Sequence, residues 1–155
     1  MAAEIARIAE QLRRAVEGGA WHGPSVLETL AGVDARAAAA YPIKGAHSIW
    51  EILNHITAWT HAIVRRLNGE AVELQGADDW PPVTDAGEAC WQTAIASFRA
   101  AQQELLAKLK AMSNDELGMP VPGKNYSTSF MLHGIIQHHL YHAGQMAILK
   151  KAEGA

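Results

Sequence analysis

Apolar side chains in this chain recur at intervals of three and four residues and never alternate over a length that a strand needs. Helices are therefore the only elements that can bury them. The best-defined stripe is Ile49, Ile52, Leu53, Ile56, Trp59, Ile63 and Leu67. Ser48 with Glu51 forms a capping box at its start, and Asn68-Gly69 stops it. A first helix carries Ile5, Ile8, Leu12 and Val16 and ends at Gly18-Gly19. A third opens at Asp85 or Gly87 and runs through Trp91, Ile95, Phe98, Leu105, Leu109 and Met112. The last begins at caps among Ser127, Thr128 and Ser129 and reaches the region of Ala152, with Lys150 and Lys151 in its final turn complementing the macrodipole.

Between the first two long helices lies a connector from Trp21 to Gly45. Within it, Ser25 with Glu28 caps a short turn, Asp34 caps the run Ala37–Ala40, and Tyr41-Pro42 breaks the pattern. Residues 70–87, with Pro81-Pro82, read as loop, as does the stretch holding Pro120, Pro122 and Gly123. The pattern predicts an all-α fold in one domain over residues 1–155. It is a four-helix bundle with two long connections, and so not a simple up-down-up-down course.

The remaining composition narrows the function. A chain of 155 residues can bury a core without staples. Its 13 Lys+Arg against 16 Asp+Glu leave no basic footprint, so nucleic acid is not the expected partner. Charged residues break the apolar N-terminal stretch at Glu4, Arg7 and Glu10, unlike a secretory signal, and no run suits a membrane span. Cys90 is alone, which excludes an internal disulfide and a thiolate zinc site and fits a reducing compartment. The expected location is the cytoplasm.

Eight histidines are many for this length. With His138 as origin on the last helix, His142 lies about 40° away and Gln145 about 20° to the other side, within the stripe of Met131, Ile135 and Leu149. Chance yields about a third of one His-x3-His pair, so the spacing alone says little. A lone core histidine is more often satisfied by a neighbour than by a metal. Two in one apolar stripe change the balance, because each imidazole without a partner costs about 1–3 kcal/mol of desolvation. A divalent cation removes that cost, and His55, on the rim of the buried face of the second helix, supplies a third ligand. Three neutral imidazoles leave a coordination position open, as in catalytic sites.

Other residues carry weaker signals. Glu51, one turn before His55, is expected mainly as a cap, with a hydrogen bond to the His55 ring or a place as an added ligand as the alternatives. Gln145 is equally a partner of the ligating histidines or a packing residue. Trp59, Gln102 and Tyr141 are candidates for the wall of a pocket. His22, His47, His61, His133 and His139 read as surface or connector residues, and the tryptophans as core or interface. Paired Glu-x-x-His motifs of di-iron bundles are missing, and no scaffold exists for a Ser-His-Asp hydrolase. No catalytic residue is identified.

A second apolar strip on the last helix, through Leu132, Ile136, Leu140, Ala143 and Ala147, together with Trp50 on the far side of its own helix, favours a homodimer. The connector 21–45 covering that strip is the alternative.

The stretch Ser48-Ile-Trp-Glu-Ile-Leu-Asn-His55-Ile-Thr-Ala-Trp59, with the later Gln137-His138-His139-Leu-Tyr141-His142-Ala-Gly144-Gln145, resembles the DinB-like (DinB/YfiT) superfamily. So does Gly19-Ala-Trp21-His22-Gly23-Pro24-Ser25, and the resemblance spans nearly the whole chain. It implies an up-down-down-up four-helix bundle, often dimeric, with a divalent metal, commonly nickel or zinc. By resemblance the ligands fall on His55, His138 and His142, the same three residues. His139 stands where many members carry an acidic residue. The resemblance further implies chemistry on a low-molecular-weight thiol, as in bacillithiol-dependent transferases and a related mycothiol-dependent isomerase.

Fold is more transferable than activity. The expectation is a metal-dependent enzyme that activates a low-molecular-weight thiol, or else a water, toward a small-molecule substrate. The competing expectation is a non-enzymatic, metal-stabilised dimeric bundle acting as an interaction module.

Overall fold

A computed structural model describes residues 4–154 of the chain. Among these residues there are six α-helices and no strand. They are α1 (Glu4–Glu17), α2 (Val26–Leu30), α3 (Ala35–Ala39), α4 (Ile49–Leu67), α5 (Glu88–Ala111) and α6 (Thr128–Glu153). Two short 3-10 turns, Gly76–Asp78 and Asn114–Gly118, interrupt the long loops. No described helix is long and apolar enough to cross a membrane.

The helix starts follow from their caps. Ser48 Oγ accepts from the Glu51 amide, and the Glu51 carboxylate accepts in return from the Ser48 amide at 2.9 Å. Ser25 and Glu28 repeat the arrangement at α2, Asp34 caps α3, and Ser127 caps α6. Each cap satisfies amides that the first turn leaves without intrahelical partners. Gly18, at φ +141°, lets the chain leave α1 directly against the Glu28 carboxylate, where a side chain would meet atoms 3.0 Å away.

Side chains from all four long helices share one core, including Ile8, Leu12, Leu53, Ile56, Trp91, Phe98, Leu105, Leu132 and Met146. α4 packs against both α5 and α6, and α1 against both α5 and α6. Trp50 and Trp91, from the first turns of α4 and α5, meet at 5.1 Å between ring centroids. Further along the same pair, His61 faces Glu104. On the opposite side, residues late in α4 meet residues early in α6, and residues early in α4 meet residues late in α6.

The apolar strip assigned to a second copy is in part covered by the chain itself, with Leu140 and Ala147 left half-buried. Leu132, Ile136 and Ala143 are buried, as is Trp50, and α1 and α2 lie over α6. The connector contributes further, since the Lys150 ammonium caps the carbonyls of Thr29 and Ala31. α6 also keeps Phe130, Tyr141 and Ile148 exposed, at 67%, 66% and 60%.

Candidate metal centre

His55 projects from the second turn of α4, and His138 and His142 from adjacent turns of α6, toward one another. Their ring centroids are 5.0 Å apart for His55 and His138, 4.8 Å for His55 and His142, and 4.5 Å for His138 and His142. One nitrogen from each ring lies within 4.8 Å of the others, so the three side chains can hold a metal ion.

Hydrogen bonds decide which nitrogens face the gap. His55 Nδ1 lies 2.7 Å from the Asp79 carbonyl oxygen. A carbonyl only accepts, so this nitrogen carries the proton and Nε2 keeps a lone pair. His142 Nδ1 donates to Gln145 Oε1 at 2.6 Å, which leaves its Nε2 free in the same way. His138 Nε2 stands 3.0 Å from His55 Nε2, while its Nδ1 is buried without a hydrogen-bond partner. Two imidazole nitrogens bound to one cation at about 2.1 Å lie about 3.0–3.4 Å apart between octahedral and tetrahedral angles. The His55–His138 pair has that spacing, and with a His142 nitrogen within 4.8 Å the set can hold a divalent cation that accepts nitrogen ligands.

All three rings are held neutral. Burial pushes the His138 imidazole down to about 3, with His142, His139 and His55 adding repulsion. Burial also lowers His55 and His142, against the opposing pull of the Asp79 carbonyl and of Gln145. Neutral rings keep the lone pairs that a metal needs.

The loop between α4 and α5 closes one side. Trp80 stacks on His55 at 3.9 Å and on His47 at 3.7 Å, with planes tilted by 11° and 9°. The Asp79 carboxylate accepts from Trp59 Nε1 at 2.7 Å and comes within 3.2 Å of His55 Nδ1. Asn54 Nδ2 donates to the Pro81 carbonyl, tying the loop to α4. Beside the triad, a cavity of about 360 Å³ is lined by His55, His138, Trp59, Ile63, Arg66, Asp79, Tyr126, Phe130, Met131 and Ile135, among others. It is apolar with few polar groups, as small-molecule sites are.

The sequence-derived candidates divide clearly. Trp59 lines the cavity, and Gln145 orients His142. Glu51 does not reach His55; its carboxylate serves the cap, the Tyr41 hydroxyl and His47. Gln102 does not line the cavity but is buried behind it, donating from Nε2 to His139 Nε2 at 2.6 Å and to Thr60 Oγ1 at 2.8 Å. Tyr141 is 66% exposed and borders a separate depression beside His142 and Trp80. His139 is a core residue with no exposed surface, not a surface one, and His47 is exposed but packs on Trp80. The reading of residues 70–87 missed Asp79 and Trp80. The available signal was a tryptophan between Asp78-Asp79 and Pro81-Pro82, a large apolar ring in a polar loop that gains by packing against a neighbour. Arg66 and Tyr126 were also missed.

Fold and site together define an all-helical protein with a buried histidine triad able to hold a divalent cation. A family model described as the DinB superfamily matches residues 20–146, and the chain belongs to that superfamily. No curated protein and no solved structure matches the chain.

Proposed function

We propose that this protein is a metal-dependent enzyme in which His55, His138 and His142 hold one divalent cation, nickel or zinc, and a low-molecular-weight thiol of the bacillithiol or mycothiol type is activated beside it. The observation that carries the reading is the convergence of three neutral imidazoles, two with Nδ1 committed to protein acceptors, of which His55 and His138 line an apolar cavity. A cation held by neutral ligands alone keeps its full charge and lowers the pKa of a thiol or water at its open position.

The chain's own residues supply the rest. The Asp79 carbonyl and Gln145 Oε1 fix the orientation and tautomer of His55 and His142. Trp80 covers the His55 ring, which limits water on that side. Trp59, Ile63, Phe130, Met131 and Ile135 surround the apolar body of a substrate. Membership of the superfamily supports the metal, and also the up-down-down-up course. The latter is further supported by Trp50 meeting Trp91 and by the antiparallel pairing of α4 with α6 residues.

The test begins with metal analysis of protein prepared without a histidine tag, alongside His55→Ala and His142→Ala. About one equivalent of nickel or zinc, lost in both variants, is expected. Bacillithiol or mycothiol should then perturb the visible spectrum of the cobalt-substituted protein. A flat titration with measurable hydrolysis transfers the reading to an activated water. Lowered thermal stability on chelation, with neither thiol nor electrophile bound, transfers it to a structural metal. Protein that binds no divalent cation overturns the proposal.

A further inference from the structure

Arg66 lies on α4 two turns beyond Trp59 and is only 4% exposed, yet it lines the cavity. Arginine is almost never buried so deeply unless it is paired. Among the described residues no carboxylate comes within ion-pair distance of it. Glu73, the acid whose charge feels it, is engaged by the Lys124 ammonium. The protein gives Arg66 neutral partners only. Nε and Nη2 both donate to the Val72 carbonyl, at 3.2 and 2.7 Å, and Nη1 donates to the Tyr126 hydroxyl at 3.3 Å. A guanidinium has five N–H groups, so one remains on Nη1 and one on Nη2. Tyr126 accepts from Arg66 and keeps its own proton to donate.

The two charged residues of the cavity are separated by one side chain. Trp59 gives its indole N–H to Asp79, and its ring lies 5.3 Å from the Arg66 guanidinium carbon. The same ring is 5.9 Å from that of His138. In the metal-free chain an anion in this cavity is repelled by Asp79 at the histidine end and attracted at the arginine end.

We propose that Arg66 and Tyr126 form an anchoring subsite for a carboxylate, so that the substrate is a small carboxylic acid with an apolar body. Two open guanidinium N–H groups and one phenolic O–H suit the two oxygens of a monoanion. A phosphate dianion exceeds the single charge of Arg66 and, in the metal-free chain, adds to that of Asp79. Anchored in this way, the acid directs its far end along Trp59 toward the triad. That reactive end rests on the metal-dependent reading above, whereas the anchoring does not require a metal.

The experiment measures binding of 3-phenylpropionate and hexanoate, and of their neutral amides, by calorimetry. It uses the full chain both metal-loaded and stripped with chelator. Each acid is expected to bind at least about tenfold more tightly than its amide in both forms, the scale of a charge-assisted pair. Arg66→Gln should abolish the preference at unchanged metal content, and Tyr126→Phe should weaken the acids several-fold without affecting the amides. If Arg66→Gln fails to fold, the acid-to-amide ratio of the native chain and the Tyr126→Phe variant decide. Acids and amides that bind alike, or do not bind at all, overturn the proposal. So does acid binding that vanishes on chelation and ignores Arg66→Gln, because the carboxylate then sits on the cation. A chain that takes up no metal but still prefers acids through Arg66 fails the metal reading and leaves this inference standing.

Discussion

His55 and His138 face each other Nε2 to Nε2 at 3.0 Å across the seam between α4 and α6. Because the other nitrogen of His55 is bound to the Asp79 carbonyl, only His138 can place a proton between them. Doing so leaves His138 Nδ1 as a buried lone pair with no partner. A cation that takes both Nε2 lone pairs removes the need for that proton. The relationship ties metal affinity to the groups that hold the Nδ1 atoms.

Gln145→Leu removes the acceptor for His142 Nδ1 at a half-buried position, and metal affinity should fall about 10–100-fold. Asp79→Asn should change it far less, since His55 is held by the main-chain carbonyl, which the substitution retains. Competition with a chromophoric chelator measures both. Equal losses in the two variants would show that the carboxylate, not the carbonyl, controls His55.

Acid should destabilise the metal-free protein in a defined window. Burial holds His139 down to about 4, against an ordinary 6.5. Above pH 6.5 this residue is neutral whether folded or unfolded and contributes no pH dependence. Below it, the unfolded chain takes up a proton that the folded chain refuses until about pH 4. Stability therefore falls by about 1.4 kcal/mol per pH unit from this group alone. His55, His138 and His142 are shifted in the same direction and steepen the fall. Urea midpoints of chelator-treated protein should be level above pH 7 and drop between 6.5 and 4; a level midpoint across that range contradicts the burial of these rings.

Gln102→Leu should cost about 1–3 kcal/mol in urea unfolding, because it strips the main donor from the buried His139 Nε2. Thr60 Oγ1, at 3.4 Å, is left as a poor substitute. Metal content should stay constant, since Gln102 lies outside the cavity lining. A loss of metal without a loss of stability would instead return Gln102 to the site.

Ser48→Ala deletes the side-chain half of the α4 capping box, which starts two turns before His55. A cost of about 1 kcal/mol is expected by chemical denaturation, with metal stoichiometry retained. Loss of metal at unchanged stability would mean that the cap positions His55 rather than supporting the helix.

Legibility in the sequence differed by element. The capping boxes at Ser25 and Ser48, the Asp34 cap and the ends of α4 and α6 could all be read directly. The histidine triad could be read as well, because His138 and His142 share a stripe on one helix and His55 sits beside the buried face of another. His139 was misread because its wheel position, about 100° from His138, was compared with one apolar stripe only. It falls between two stripes, and a helix covered by α1, α2 and α4 has no outer face there. Trp80 and Asp79 left no periodic trace, because their roles come from where a loop docks. Arg66, seven residues after Trp59, does share the buried face of α4, and that signal was passed over.

Local chemistry, acting over three or four residues, determined from the sequence alone that this chain is helical, where its long helices begin, and which imidazoles share a face. The tertiary structure decided what surrounds them. The partner that sets the His55 tautomer is 24 residues away, and the ring opposite it is 83 residues away. Arg66 finds its acceptors in two loops, at Val72 after α4 and at Tyr126 before α6, 60 residues away. Such contacts depend on the packing of whole helices, and no spacing within one segment encodes them.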